Sequence, residues 1–223
     1  KRKLFSIPSF VFGILASANS YSNVFSAGNS RSSNCLAGGY GTVGSGYQSS
    51  KNSLAVGAVR YTDANSWFSS YGPVRDGRLK PEITAVGVDV YSTFPNNTYR
   101  GGYNGTSMSC PGTSGTAALI TQLYKEKFDT FPDAHLIKGV LCNAADEIGR
   151  TGPDFQYGFG RLNGFVAANI VNDSNFVMDT VNQNGTFSDT IFIDNPHIFK
   201  VMLCYTDVQA VASASTTLVN DLD

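Results

Sequence analysis

Apolar residues along the chain cluster in short runs separated by glycine-rich polar stretches. Asn23–Ser30 (NVFSAGNS) reads as a strand ending at Gly28, Ser53–Arg60 (SLAVGAVR) as a second, and Glu82–Thr93 (EITAVGVDVYST) as a third. Loops such as LAGGYGTVGSGYQSS follow strand ends, where α/β enzymes commonly carry their sites. Two helical stretches come next. The first runs from Met108 to about Lys127, and the second begins after Pro132 with Asp133 as N-cap and ends near Ala145. On the second, Leu136, Ile137, Val140, Leu141 and Ala144 form one apolar stripe, and His135 points almost opposite it, toward solvent. From about Asp173 the texture changes: GTFSDTIFID and IFKVMLCYTD run in strand-length pieces between Asn-Gly and Asn-Pro turns, without a helical period. The pattern predicts an α/β region over residues 1–172 and the beginning of an all-β sandwich domain over 173–223.

Composition excludes some partners. With 223 residues the chain can bury one substantial core, or one and part of a second. Sixteen basic and seventeen acidic side chains, with no like-charge block beyond Lys1-Arg2-Lys3, leave no electrostatic footprint for nucleic acid or an anionic membrane. The apolar runs fall well short of the roughly 20 residues that a membrane-spanning helix needs. Low charge and abundant Gly, Ser, Thr, Asn and Tyr point to a secreted or cell-envelope enzyme. Residues 1–20 are broken by Pro8 and scattered serines, and read as a helix or loop leading into a strand rather than as a targeting segment. Cys35, Cys110, Cys142 and Cys204 form no metal-ligand cluster and read as small buried apolar residues.

The stretch NGTSMSCPGTSGTAAL, residues 104–119, carries Gly-Thr-Ser twice, ending at Ser107 and at Ser114. Proline is best tolerated in the first turn of a helix, so Pro111 predicts a start near Met108. That places Ser107 at the helix mouth, where free N–H groups and the positive end of the dipole meet an oxyanion. Ser114 lies inside the helix among small residues, a pattern of close packing in which its hydroxyl bonds back to a carbonyl. By itself a Gly-Thr-Ser at a helix start is more often a turn or cap than a nucleophile.

Other segments change that balance. GTSMSCP resembles the segment around the nucleophile of the subtilisin-like serine peptidases, and FSAGNS resembles their Ala-Ala-Gly-Asn segment. FSSYGPVRDGRLKPEITAVGVDVYST resembles their Phe-Ser-Ser-x-Gly-Pro block, in the same order, and YGFGRLNGFVAA resembles their closing segment. The resemblance implies a mainly parallel sheet with helices on both faces. It implies a serine endopeptidase acting on protein or peptide substrates, with Ser107 as acylating nucleophile and the Asn29 amide, joined by the Ser107 N–H, as oxyanion donors. Ala27, Gly28 and Thr106 then border the substrate. No cofactor is required for catalysis. Val86 stands where the family usually has Pro.

In that arrangement the acid and the base precede the serine, yet both histidines, His135 and His197, follow it. His197, after Asn195-Pro196, reads as a turn-flanking residue. The family's substrate-pairing Ser-x-Gly strand is not found before Asn29 either. The expectation is therefore the C-terminal part of a peptidase, cut at both ends and inactive without the missing N-terminal part of the same domain. The ending TLVNDLD resembles a segment of the β-domain that follows the catalytic domain in one alkaline branch of the family. Two other readings stand beside it: a non-catalytic subtilisin-like binding or assembly protein, and a sedolisin-type peptidase, against which Asn29 argues because that family uses Asp there. Structural calcium, with Asp207, Asp221 and Asp223 as candidate ligands, stays open.

Overall fold

The computed structural model describes residues 9–14, 22–33, 35–182, 184–192 and 199–220. Three parallel strands form the sheet that carries the candidate site: β2 (Val24–Ser26), β3 (Leu54–Val59) and β4 (Ile83–Val86), in that order. The central strand β3 is buried at every position. This is why its sequence is a continuous apolar run rather than an alternation: a strand covered on both faces has no wet side. Val56 pairs with Val24's strand at Ser26 and with Ile83 on β4.

Helix α1 (Thr106–Phe128) packs on all three strands and on α3 (Gly164–Asn172), while α2 (Ala134–Asn143) lies against α1 and α3. Leu54, Val56 and Ile83 from the sheet meet Ala117 and Ile120 of α1, Leu136, Val140 and Leu141 of α2, and Ile170 of α3 in one core. The apolar stripe expected on the second helix is thus its buried face, and Asp133 is its N-cap residue. Asn163 caps α3 through its side chain, accepting from the Val166 N–H at 3.0 Å. The result is a mixed α/β fold of parallel strands and helices.

Three local expectations change. Helix α1 begins at Thr106, not near Met108, and carries Pro111 in its second turn; the missing N–H leaves only the Ser107 carbonyl without a helical partner. The apolar run Glu82–Thr93 is two strands. β4 stops at Val86, Gly87 and Asp89 (φ 57°) turn the chain, and β5 (Val90–Phe94) forms an exposed antiparallel hairpin with β6 (Thr98–Tyr103). Asn96 and Asn97, both at positive φ, make its turn; asparagine tolerates that conformation better than most residues. Gly112 and Gly115 of α1 are exposed with open space at their Cα atoms, so the small residues around Ser114 pack closely on one side only.

β7 (Phe176–Asp179) and β8 (Lys200–Tyr205) both pair in parallel with β1 (Ser9–Ile14), giving the order β7-β1-β8, and β8 packs on α2. Within GTFSDTIFID the described residues up to Phe192 form no strand. Cys142 and Cys204 are buried as expected, but Cys35, on the glycine-rich loop, is exposed.

Candidate active site

The site begins where β2 ends. Ala27, fully buried, continues the ladder by donating its N–H to the Val56 carbonyl at 2.9 Å. Gly28 then takes φ 105°, a conformation open to glycine without penalty, and the chain leaves the sheet with Asn29 exposed. Asn29 Oδ1 accepts two hydrogen bonds from one residue of α1, from the Thr106 N–H at 2.9 Å and the Thr106 hydroxyl at 3.0 Å. The Thr106 hydroxyl in turn accepts from the Gly28 N–H at 3.2 Å. Because the Thr106 N–H can only donate, the orientation of the Asn29 amide is forced: the carbonyl oxygen faces Thr106 and the Nδ2 donor is turned away from it.

The helix mouth is tied down from a second direction. Gly105 donates to the Gly87 carbonyl at 2.8 Å, and Gly87 donates to the Val59 carbonyl at 3.0 Å, so the turn before α1 is anchored to the ends of β3 and β4. A Cβ on Gly87 would come within 2.7 Å of both the Ala58 Cβ and the Gly105 carbonyl oxygen; glycine is required for this approach. Gly105 itself has φ 155°. A Cβ at Gly105 would lie 3.6 Å from the Asn29 Nδ2 and 3.6 Å from the Ser107 N, so both nitrogens lie close to Gly105, next to the exposed Ser107. In the first turn of a helix the Ser107 N–H has no carbonyl of that helix to bond.

The hydroxyls of α1 divide by direction. Ser109 donates back to the Thr106 carbonyl at 3.0 Å, Thr113 to Ser109 at 3.1 Å and Ser114 to Cys110 at 3.0 Å. Thr106 is spent on Asn29. Ser107 alone among them points to solvent with its hydroxyl uncommitted. Cys110 is no rival nucleophile: burial pushes its thiol up, and its sulfur faces the Val24 carbonyl at 3.6 Å.

The structure therefore brings Ser107, Thr106, Asn29, Gly28 and Ala27 together at one corner. It moves His135. Rather than facing solvent, His135 is 4% exposed, its Nδ1 lies 3.4 Å from the Thr206 hydroxyl, and its Nε2 finds no partner among the described residues. Burial holds its pKa below the usual value against the pull of Asp133. The helical repeat identified its polar side correctly, but the segment after β8 covers that side. His197, Asp221 and Asp223 lie outside the described residues. Asp207 is committed elsewhere: it accepts from Lys51 at 2.6 Å, the Val219 N–H at 2.8 Å, and the Asn220 N–H and side chain at 3.0 and 2.8 Å. Among the described residues no cluster of three His, Cys, Asp or Glu forms a metal site, and no helix is long and apolar enough to cross a membrane. The reading of the sequence did not single out Gly87, Gly105 or Ser70 as parts of the corner. Their signal was the glycines flanking each motif and the second serine of Phe-Ser-Ser.

Comparison with known proteins identifies the family and the fold. The sequence matches the model of the subtilase family, Peptidase_S8, over residues 12–160, and the chain belongs to that family. It is 39% identical to subtilisin DY of Bacillus licheniformis over 146 residues, which are 65% of this chain and 46% of that protein. It is 34% identical to bacillopeptidase F of Bacillus subtilis over 122 residues, 54% of this chain and 8% of that one. The chain thus spans less than half the length of these relatives. Among solved structures, the maturation protease PagA superimposes with a TM-score of 0.56 at 25% identity, over 68% of this chain and 51% of that one. A lanthipeptide protease does so with 0.54 at 24%, over 67% and 50%, and shows the same fold.

Proposed function

We propose that Ser107 is the nucleophile of a secreted serine endopeptidase and that Asn29 Nδ2 and the Ser107 N–H form its oxyanion hole. One observation carries this reading: the only uncommitted hydroxyl on the first turns of α1 lies beside two N–H donors, one of them aimed by a double hydrogen bond from Thr106. In the reaction, Ser107 Oγ attacks the carbonyl carbon of a peptide and loses its proton to a general base. The carbonyl oxygen becomes an oxyanion between the two donors. As the tetrahedral intermediate collapses, the C–N bond breaks, the amine leaves with the proton, and the acyl group stays on Ser107 until water releases it. Gly28, behind Asn29, borders the acyl side of the substrate, and the fully buried Ala27 and Thr106 support that corner from beneath.

The base is not among the residues before Ser107, none of which is histidine, so in this reading it belongs to sequence of the whole protein beyond these 223 residues. Residues 173–223 are read as the start of a β-sandwich domain. Calcium would find ligands outside the Asp207 cluster, whose oxygens are already engaged.

The test uses the whole protein. A fluorophosphonate probe should label Ser107, and Ser107→Ala should remove both labelling and peptide hydrolysis. Labelling at Ser114 would overturn the assignment. The sedolisin-like alternative predicts instead that Asn29→Asp is active at acid pH.

A further inference from the structure

Asn29 has an exposed side chain, and outside its bond to Thr106 little packs around it. Its position depends on the two peptide units that flank it. Both are held by a single residue, Ser70: its N–H donates to the Gly28 carbonyl at 2.9 Å, and the Ser30 N–H donates to Ser70 Oγ at 3.1 Å. The ring so formed encloses Asn29. Glycine suits residue 28 on two counts: its φ is 105° and a Cβ there would stand 3.0 Å from Ser70 Oγ.

Ser70 is itself immobilised. It is fully buried between Ser69, whose hydroxyl accepts from the Ala58 N–H of β3 at 2.9 Å, and Tyr71, whose N–H donates to the Thr42 hydroxyl at 3.0 Å. One residue beyond the ring the same two segments bond again: the Arg31 N–H donates to the Phe68 carbonyl at 3.2 Å and Arg31 Nη1 to the Ser66 carbonyl at 2.9 Å. The Arg31 guanidinium also stacks 4.4 Å above the Tyr71 ring. Residues 66–71 are therefore a brace fixed to the sheet, and Ser70 is its contact with the Asn29 turn.

We propose that Ser70 is a positioning residue for Asn29, acting through the backbone on either side of it to hold the Nδ2 donor where the oxyanion forms. This rests on the reading of Asn29 given above. An oxyanion donor stabilises charge present only in the transition state, and a displacement well under 1 Å weakens it without disturbing ground-state binding. Ser70→Ala removes the hydroxyl that accepts from Ser30 and keeps the backbone bond to Gly28. The exposed Ser30 N–H then turns to water, so folding changes little while the turn loosens.

The experiment is a double-mutant cycle in the whole protein, with kcat and KM normalised by active-site titration and a melting temperature for every variant. Ser70→Ala is expected to lower kcat about tenfold with KM unchanged. On an Asn29→Ala background the same change should cost nothing further, because Ser70 acts only through Asn29. Ser70→Cys is larger and accepts weakly, and should lower kcat at an unchanged melting temperature; a packing role would instead show as a lowered melting temperature in both variants. An unchanged kcat in Ser70→Ala, or losses that multiply in the double variant, overturns the proposal. Hydrolysis that survives Ser107→Ala, or a full kcat in Asn29→Ala, shows that the active-site reading itself is wrong, and the Ser70 role falls with it. Normal losses in those two variants beside a silent Ser70→Ala overturn the Ser70 proposal alone.

Discussion

Two corners of the molecule are built from opposite materials. Around Ser107 the contacts that set geometry are neutral: amide, hydroxyl and glycine backbone, with no ionisable side chain among the described residues bonded to Asn29, Thr106 or Gly105. Where the C-terminal segment Thr206–Asn220 meets the body, and in the body just beside it, the contacts are ionic. Glu82 accepts from Lys80 at 2.6 Å and Lys138 at 2.7 Å, and its other oxygen accepts the Ala55 N–H at 2.7 Å. Lys51 reaches Asp207 and the Thr217 carbonyl, each at 2.6 Å, and also the Val208 carbonyl. Asp76, paired with Arg78, receives the Thr217 N–H at 3.1 Å and hydroxyl at 2.5 Å. Burial pushes Lys80 down to about 8 against the attraction of Glu82.

The difference has a physical logic. A site that must stabilise transient negative charge gains from fixed dipoles that do not titrate and do not reorganise. A contact between the body and a late segment of chain gains specificity from paired charges, at the cost of desolvating them. Substitutions and pH should therefore separate the two corners.

The largest effect is expected at the neutral corner. In the whole protein Ser107→Ala should lower kcat by more than about 10³ with an unchanged melting temperature, while Ser114→Ala, whose hydroxyl only bonds back to Cys110, should leave turnover within about twofold of the parent. Steady-state kinetics on both variants decides this. Next comes Asn29→Ala, expected to lower kcat about 10²–10³ at constant KM, a magnitude taken from subtilisin itself rather than derived from this geometry. Asn29→Gly should behave likewise, which a mere turn residue would not.

At the charged corner the same exchange of one group should act on stability instead. Glu82→Gln leaves the buried Lys80 and the half-buried Lys138 without their counter-ion and should cost about 3–5 kcal/mol in denaturant titration, with kcat of the folded fraction preserved. A parallel loss of kcat would show that the two corners are coupled.

The smallest effect is in pH. His135 is buried neutral with a lowered pKa, so its contribution is full above about 6.5 and is lost as pH falls below that. Burial opposes ionisation of Asp76 and Asp207, but their hydrogen bonds from Arg78, Thr217, Lys51, Val219 and Asn220 outweigh it and hold both below the usual carboxylate value. Their contribution is full above about 4 and lost as pH falls through the lowered values. Hydrogen exchange of residues 206–220, corrected for intrinsic rates, should rise in two steps on acidification, while that of residues 27–30 and 104–110 should not change in steps. His135→Leu should remove the upper step only.

The local pattern carried much of the molecule. The all-apolar run of β3 and the stripe and Asp133 start of α2 are properties of a few consecutive residues, as is the beginning of a helix close to Ser107, although Pro111 placed that beginning two residues too late. Each follows from chain geometry over one or two turns. The motifs extended this to Asn29, although they lie far apart in sequence. Other features had no local signature. Thr106 and Asn29 are 77 positions apart, and Lys51 and Asp207 are 156 apart; their meeting depends on which strands lie side by side. The break at Gly87 exists because α1 and β3 crowd that point, not because Glu82–Thr93 lacks strand character. A helical repeat told which side of α2 was polar, but nothing local told that Thr206 would cover His135. Hydrophobic periodicity reports what each element needs to bury; only the packed chain decides what comes to lie over its polar side, and therefore which polar groups become partners, ions or donors.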